Sequence, residues 1–253
     1  MKLIHFQYRG RPTWGAVTDA GVRLAEGNPF DGGMVVGETA LSEAVSDWLP
    51  PARPTKVVCL GSNYRAHCVE MGRALPEVPK LFIKPPSAVI PHRGLIELPP
   101  NVGRVDYEGE LALVIGRRAR RISEAQVPEH VLGVTVLNDV TAREIQRKDV
   151  QFTRGKGYDT FCPLGPWVDT SVSFNKLRLV TRLNGEIRQD ASTSDMVFGP
   201  AALVSFISHV MTLEPGDVVA TGTPSGVGQL TAGDTVSVTL EGVGTLENRV
   251  VNV

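Results

Sequence analysis

Two glutamates one residue apart precede an apolar, β-branched run in the segment 107–115. Side chains on a strand alternate between faces with a period of two, so Glu108 and Glu110 are expected to point the same way. Gly109 between them is expected to leave the opposite face bare. Two neighbouring carboxylates repel each other and usually share a proton or a cation. The segment is therefore predicted to be a strand that brings two acidic groups to one place.

A second strand-like run covers residues 134–139 and ends in Asn138 and Asp139. It adds a third carboxylate, and no His or Cys cluster lies near these acids in the sequence. Such a set suits a hard, oxygen-preferring ion, Mg²⁺ or Mn²⁺, with open positions for a substrate. The alternatives are a solvated Glu-x-Glu face and a capping or turn role for Asp139. The spacing alone does not separate these interpretations.

The length of 253 residues allows a full core, as one large domain or a small one and a larger one. A net charge of −1 argues against nucleic acid or a membrane surface as a bulk partner. The N-terminus lacks the apolar core of a signal peptide and no apolar run reaches membrane-spanning length, so a cytoplasmic location is predicted. Three scattered cysteines without a CxxC pair argue against disulfides and zinc, and 26 Gly and 18 Pro favour a strand-rich fold.

Turn signals divide the chain into predicted elements. Strands are expected over 3–6, 13–17 and 21–24, a short helix over 40–48, and a domain boundary at the proline-rich connector 50–54. Near the C-terminus, Asn184-Gly185 predicts a hairpin over 179–188. Residues 200–213 form a predicted amphipathic helix whose core-facing stripe comprises Leu203, Phe206, Ile207, Val210 and Met211.

A buried strand over 56–61 is predicted to run into a helix that begins at Ser62 or Asn63 and ends at Gly72. His67 and Glu70 are three residues apart and share a helix face, with Tyr64 one turn earlier. A carboxylate that orients an imidazole gives the arrangement that a general base needs. The alternative is an ordinary helical ion pair.

Further polar side chains follow the two acidic strands. Thr141 and Glu144 have the spacing of a capping box, and the predicted helix places Arg143 and Gln146 on one face. Arg143 can hold a substrate carboxylate bidentately, or it is a plain surface arginine. Lys156 lies in a glycine-rich loop over 154–163, where it either approaches a ligand or is simply solvated. Residues 123–126 also have capping-box spacing, and the basic run 116–121 is interpreted as a solvated turn.

These motifs occur together in one order. They are Asn63-Tyr64-x-x-His67-x-x-Glu70, Asp106-Tyr107-Glu108-Gly109-Glu110-Leu111, Asn138-Asp139-Val140-Thr141-Ala142-Arg143, the segment from Lys156 to Pro166, and Thr221-Gly222-Thr223-Pro224-x-Gly226-Val227. The ordered set resembles the fumarylacetoacetate hydrolase family over about residues 55–253. The resemblance extends to its bacterial acylpyruvase and 2-hydroxyhepta-2,4-diene-1,7-dioate isomerase-like branch.

The resemblance implies an α+β, mostly β fold: a mixed β-sandwich or β-roll over 55–253 with a small N-terminal β domain over 1–54. It implies a homodimer, a small 2-oxo acid as substrate, and Mg²⁺ or Mn²⁺ at the counterparts of Glu108, Glu110 and Asp139. It further implies a catalytic role for His67, Glu70, Lys156 and Gln146, and a substrate-binding role for Tyr64, Arg143, Tyr158, Asp159 and Thr223.

Several activities fit these expectations, because a chelated enolate serves C–C cleavage, decarboxylation and isomerisation alike. The first is hydrolysis of acylpyruvates such as fumarylpyruvate or acetylpyruvate. The rivals are isomerisation of 2-hydroxyhepta-2,4-diene-1,7-dioate, decarboxylation of its tricarboxylate precursor, and decarboxylation of oxaloacetate. A non-catalytic metal- or carboxylate-binding module is the alternative from another class. The sequence does not choose among the substrates, and residues 71–80 are interpreted either as a gating segment or as a plain surface loop.

Overall fold

The computed structural model describes residues 1–41 and 45–253. The N-terminal part is an antiparallel meander of β1 (Lys2–Tyr8), β2 (Arg11–Thr18), β3 (Gly21–Asn28) and β4 (Gly33–Ala40). The three predicted strands are confirmed and β4 is additional. The helix expected over 40–48 falls partly on residues 42–44, which lie outside the described residues. At its two ends the expectation is wrong: Ala40 closes β4, and Trp48 forms an isolated bridge with Phe6.

The rest of the described chain consists of strands with short helices between them. In chain order these are β5 (Val57–Gly61), α1 (Arg65–Glu70), β6 (Lys80–Lys84), β7 (Val89–Ile90), β8 (Leu95–Leu98), β9 (Val105–Tyr107), β10 (Gly109–Ile115), α2 (Val127–His130), β11 (Val131–Asn138), β12 (Thr141–Ala142), α3 (Arg143–Lys148), α4 (Thr153–Lys156), β13 (Cys162–Asp169), β14 (Arg178–Leu183), β15 (Glu186–Ser192), α5 (Pro200–Val210), β16 (Val218–Ala220), β17 (Gly228–Gln229), β18 (Thr235–Leu240) and β19 (Gly244–Asn252). Short 3₁₀ helices cover Pro86–Ala88, Glu124–Gln126 and Thr193–Asp195. Within the described ranges, no helix is long and apolar enough to span a membrane.

The strands form a large mixed sheet and two smaller ones. Over the described residues, the large sheet runs β4-β3-β2-β1-β13-β11-β10-β16-β5-β6, with β7 paired to β13. The N-terminal meander joins this sheet through β1, which pairs with β13. A second sheet runs β15-β14-β18-β19-β8, and a third runs β12-β9-β17. The fold is thus α+β and mostly β, as predicted.

Strand β10 lies in the middle of the molecule and has both faces buried. Leu111 and Leu113 pack into a core shared with β14, β18 and α5. Ala112 and Val114 face the opposite way, into a core shared with β5 and β13. Every residue of β10 is buried, which explains why its sequence is an almost unbroken apolar run.

Gly109, at the start of β10, presents no side chain on its face, as expected, and the second sheet packs directly against that face. A Cβ atom at Gly109 would overlap Thr181 Oγ1 and would lie 2.9 Å from Val238 Cγ1. The two sheets approach too closely here for any side chain. Because Gly109 has no side chain, the acidic end of β10 can pack directly against the second sheet.

The pairing of β10 with β11 brings the third carboxylate to the first two. The register sets Gly109 opposite Asn138, so the next residues outward, Glu108 and Asp139, are neighbours. Their backbones are joined by a hydrogen bond from Asp139 N to Glu108 O of 2.8 Å, and the Asn138 side chain accepts from Glu108 N at 2.9 Å. Antiparallel register thus assembles acids that are about thirty residues apart in sequence.

Some predicted helix starts are wrong. Helix α1 begins at Arg65 after Tyr64, which makes no capping side-chain hydrogen bond. The Asn63 amide instead donates to the carbonyls of Phe198 and Thr221. The Thr141 hydroxyl donates to Asp139 O rather than capping α3. The Asn63 side chain thus serves tertiary contacts, whereas the Thr141 hydroxyl satisfies a carbonyl two residues earlier in the chain.

Other local predictions hold. Asn184 and Gly185 both have positive φ, as a two-residue hairpin turn requires, between β14 and β15. The capping box at Ser123 and Gln126 is present. Helix α5 ends at Val210, three residues earlier than expected, and Val210 is exposed rather than part of the core stripe.

We predict that Gly109→Ala destabilises the protein by about 1–3 kcal/mol, because the added methyl group overpacks the contact between the sheets. Gly33→Ala is the matched control, since Gly33 lies in β4 and no atom lies within 4 Å of the position that its Cβ would take. Urea unfolding of the two variants measures the difference. Equal midpoints for both variants would contradict the close packing at Gly109.

Candidate active site

Glu108, Glu110 and Asp139 form a buried cluster at the end of β10 and β11. Each residue offers a carboxylate oxygen, and these three oxygens lie within 4.8 Å of one another. Glu110 and Asp139 are fully buried, and Glu108 is 5% exposed. A solvated Glu-x-Glu face is therefore excluded, as is a simple surface turn at Asp139.

Two buried lysines contact the cluster. Lys84, at the end of β6, donates to Asp139 Oδ1 at 2.5 Å and to Val140 O at 3.0 Å. Lys156, at the end of α4, donates to Glu108 Oε2 at 2.8 Å and also pairs with Asp139 Oδ2. Residues 154–156, which were expected to lie in a loop, belong to α4. Lys156 is buried rather than solvated.

Arg143 completes the cationic side of the cluster from α3. Its Nη2 donates to Glu108 Oε1 at 2.6 Å, its Nε to Asp106 Oδ2 at 2.9 Å, and its Nη1 to Gln146 Oε1 at 2.7 Å. The prediction that Arg143 and Gln146 share a face is confirmed, and the alternative of a surface arginine is excluded. These contacts commit the guanidinium to protein oxygens.

The charges in this cluster have unequal surroundings. Burial alone would raise the pKa of Glu108, but Lys156 and Arg143 outweigh it and hold that pKa well below its ordinary value. Burial and the negative charge of Asp139 raise the pKa of Glu110 well above its usual range. Burial opposes the charged form of Lys156, yet Asp139 and Glu108 raise its pKa above the ordinary value, so the ammonium group stays charged.

The donor set fits a hard divalent cation. Glu110 Oε2 accepts from Gly222 N at 2.8 Å, whereas Glu110 Oε1 is buried without a hydrogen-bond partner among the described residues. A buried, unpartnered carboxylate oxygen is costly, and a cation is what would satisfy it. Three oxygen ligands without nitrogen or sulfur are typical of Mg²⁺ and Mn²⁺ sites.

The predicted histidine–carboxylate pair is formed on α1. His67 Nδ1 lies 2.9 Å from Glu70 Oε2, and Glu70 Oε1 accepts from Gly226 N at 2.9 Å. With a carboxylate as its partner, Nδ1 carries the proton, which leaves Nε2 as the basic nitrogen. Glu70 is thereby fixed between the imidazole and the loop that follows β16.

A narrow cleft joins the pair to the cluster. The residues that line it come from several elements: Leu60, Gly61, Ser62, His67, Met71, Arg73, Phe82, Glu108, Arg143, Gln146, Phe152, Lys156 and Thr223. Glu108 and Lys156 are buried and form its floor, whereas Arg73 is exposed at its mouth. The structure thus brings together most of the sequence-predicted catalytic groups along one opening.

Of the other predicted site residues, Thr223 lines the cleft, whereas Tyr64, Tyr158 and Asp159 do not. Tyr64 is buried in the central core, and its hydroxyl has no partner within the part of the chain that the structure describes. Tyr158 packs on Phe161 with ring centroids 5.3 Å apart, and Asp159 is exposed. Thr223 lines the cleft, but its hydroxyl donates to Gly109 O at 2.9 Å. A substrate-binding role for these residues stays a prediction.

Sequence reasoning missed Lys84 and Asp106. Lys84 ends an apolar edge strand before two prolines, where a lysine is ordinarily solvated, yet it is fully buried. The observation that could have revealed its burial is its pairing: Lys84 lies opposite Val57, which belongs to the buried strand β5. Asp106 precedes the glutamates and pairs with both Arg104 and Arg143, so it orients Arg143 toward Glu108.

A mostly β scaffold that buries a carboxylate triad beside a histidine–carboxylate pair defines a class of metal-dependent, acid-processing enzymes. Residues 56–251 match the family described as Fumarylacetoacetate (FAA) hydrolase C-terminal, and residues 1–51 match Rv2993c-like, N-terminal. The chain therefore belongs to the fumarylacetoacetate hydrolase family.

Three similar proteins carry the names of specific activities. The chain is 43% identical over 215 residues to "Oxaloacetate tautomerase YisK" of Bacillus subtilis, covering 79% of this chain and 71% of that one. It is 37% identical over 287 residues to "Oxaloacetate tautomerase Fahd2a, mitochondrial" of Rattus norvegicus, covering 99% and 92%. The crystal structure of 5-carboxymethyl-2-hydroxymuconate delta-isomerase from Mycobacterium smegmatis matches with a TM-score of 0.93 and 41% identity over 100% of both chains.

We predict that Mg²⁺ or Mn²⁺ raises the melting temperature of the native protein and that Glu110→Gln abolishes this rise. A ligand that binds only the folded state at a hundred times its dissociation constant stabilises it by about 2.7 kcal/mol. Glu129→Gln is the matched control, because Glu129 is an exposed carboxylate outside the cluster. Differential scanning calorimetry with and without EDTA makes the measurement. A metal-induced shift that persists in Glu110→Gln would contradict the assignment of the site.

Proposed function

We propose that this enzyme catalyses metal-dependent proton transfer at the carbon next to the carbonyl of a 2-oxo acid, as a keto–enol tautomerase or isomerase. One observation carries the proposal: His67, held by Glu70, and the carboxylate triad, through Glu108, meet in the same cleft. A base beside a site that polarises a carbonyl is what enolisation requires. The tautomerase and isomerase activities of the similar proteins support the same class.

His67 performs the proton transfer in this proposal. Its Nε2 takes a proton from C3, the C3–H electron pair forms the C2=C3 bond, and the C2=O π pair moves onto the oxygen. The Nε2–H formed in this way then gives its proton to that oxygen. Glu70 stabilises the imidazolium that forms and keeps Nδ1 protonated throughout. The reverse sequence returns the proton to C3, so the conversion needs no other reactant.

The triad and its cations provide the polarising end of the cleft. Glu108, Glu110 and Asp139 would hold Mg²⁺ or Mn²⁺, which would supply Lewis-acid polarisation of the 2-oxo group. Lys156, which stays charged, adds a fixed positive charge beside the developing negative oxygen. Arg143 holds Glu108 in place through a short charge-assisted hydrogen bond, which makes it a positioning residue for the triad.

Hydrolysis of acylpyruvates, the first expectation from sequence, is the second candidate. The Gln146 amide oxygen accepts from Arg143, which leaves its NH₂ group, beside Lys156, available to hold a water. Such a water, activated by His67, would attack the distal carbonyl, break the C3–C4 bond and release pyruvate and a free acid. Oxaloacetate decarboxylation uses the same polarised 2-oxo acid without the water. The homodimer implied by the family resemblance and the cytoplasmic location expected from the sequence also belong to the proposal.

Product analysis distinguishes these reactions. The purified enzyme is mixed with enol oxaloacetate, and the ultraviolet absorbance of the enol is followed with Mg²⁺, with Mn²⁺ and with EDTA. Pyruvate is assayed in parallel, and again with acetylpyruvate and fumarylpyruvate as substrates. Metal-dependent loss of the enol without pyruvate supports tautomerisation. Pyruvate from the acylpyruvates supports hydrolysis, and pyruvate from oxaloacetate supports decarboxylation.

We predict that His67→Asn lowers kcat for the enol conversion by about 10²–10⁴-fold, the range of a lost general base. Because His67 does not belong to the triad, the metal-induced rise in melting temperature is expected to persist in this variant. Stopped-flow absorbance gives the rate, and calorimetry gives the metal response. His209→Asn, which alters an exposed histidine on α5, is the control. Unchanged turnover in His67→Asn would remove His67 as the base.

A further inference from the structure

The turn after α1 places a positively charged side chain, that of Arg73, at the mouth of the cleft. Gly72 has φ +62°, and its N–H donates to Val69 O at 3.0 Å. The next N–H, of Arg73, donates to Cys68 O at 2.8 Å. These two bonds form a Schellman motif, in which the left-handed glycine reverses the chain after the helix. Arg73 is therefore held in a defined backbone position at the end of the helix that carries His67 and Glu70.

The Arg73 side chain turns toward the cleft, which it lines with Ser62 and Met71. Its Nη1 donates to Ser62 Oγ at 3.1 Å. Among the described residues, this is the hydrogen bond that its guanidinium makes, and no carboxylate pairs with it. Its remaining N–H groups are thus available at an exposed position.

The buried cations of the cleft, Arg143 and Lys156, are paired with protein carboxylates. Arg143 donates from Nε, Nη1 and Nη2 to three side-chain oxygens. Lys156 contacts both Glu108 and Asp139. Among the cleft residues that the structure describes, Arg73 is the exposed cation, and no protein carboxylate pairs with it.

We propose that Arg73 binds the second carboxylate of a 2-oxo dicarboxylic acid and so sets the substrate class of the enzyme, a proposal that rests on the proposed function. The triad, which reaches the buried floor of the cleft through Glu108, takes the 2-oxo acid end. Arg73, at the exposed mouth, takes the far end, and a guanidinium matches a carboxylate bidentately. A substrate with one carboxylate leaves Arg73 unpaired and is bound more weakly.

Kinetics with matched substrates test this assignment. Enol oxaloacetate is compared with its 4-methyl ester, which retains the 2-oxo acid but lacks the distal charge. Arg73→Gln is expected to lower kcat/KM for oxaloacetate by about ten- to a hundredfold, mainly through KM, and to leave the ester unaffected. Arg73→Lys is expected to recover part of the loss. Arg65→Gln, which removes an exposed arginine of the same helix outside the cleft, is expected to resemble the native enzyme.

A binding measurement separates this inference from the reaction itself. Malate and lactate are both 2-hydroxy acids and differ by the distal carboxylate. In the presence of Mg²⁺, calorimetry is expected to give malate a Kd about ten- to a hundredfold below that of lactate for the native protein, and equal values for Arg73→Gln. That result together with no enol turnover would reject the proposed function and retain the role of Arg73. No preference for malate, or equal losses for oxaloacetate and its ester in Arg73→Gln, would overturn it.

Discussion

A cluster of three buried carboxylates, two of which are hydrogen-bonded to two lysines and an arginine, is the constraint on which this structure depends. Ions removed from water lose several kcal/mol of hydration each, and only close, well-oriented partners offset that loss. Lys84, Lys156 and Arg143 come from three different elements, so the cluster forms only when β6, α3 and α4 are all in place. The chemistry of the site and the integrity of the fold are therefore tied to the same contacts.

The three carboxylates have different hydrogen-bond partners, and this difference indicates where a cation would bind. Glu108 is held ionised by Lys156 and Arg143, whereas Glu110 has a backbone N–H and an unpartnered oxygen among the described residues. Asp139 is held through both of its oxygens by lysines. The Glu110 oxygen is thus the position at which an added cation brings the largest local gain, because it replaces no existing hydrogen bond.

Local patterns in the sequence predicted the parts of the fold in which neighbouring residues decide the conformation. The Asn184-Gly185 turn requires two left-handed residues, and the apolar run of β10 requires two covered faces, so both follow from a few residues. Motif order located the triad, His67 and Glu70. Spacing also predicted that Arg143 and Gln146 share a helix face.

Tertiary contacts decided what the sequence left open. Asn63 looks like a helix cap, but its side chain satisfies the carbonyls of Phe198 and Thr221, which are distant in sequence. Lys84 looks like an exposed strand end until the register with β5 buries it. The sequence shows that Gly109 has no side chain, but not that the second sheet packs directly against it. Each of these outcomes depends on a neighbour that no local window contains.

The loop over 221–228 contributes one N–H, from Gly222, to Glu110 and another, from Gly226, to Glu70. The same short segment therefore supports both the polarising end and the proton-transferring end of the cleft. A ligand that shifts α1 acts on the backbone that also supports Glu110. Thermodynamic linkage then requires reciprocity: whatever factor the cation contributes to substrate affinity, the substrate contributes to cation affinity.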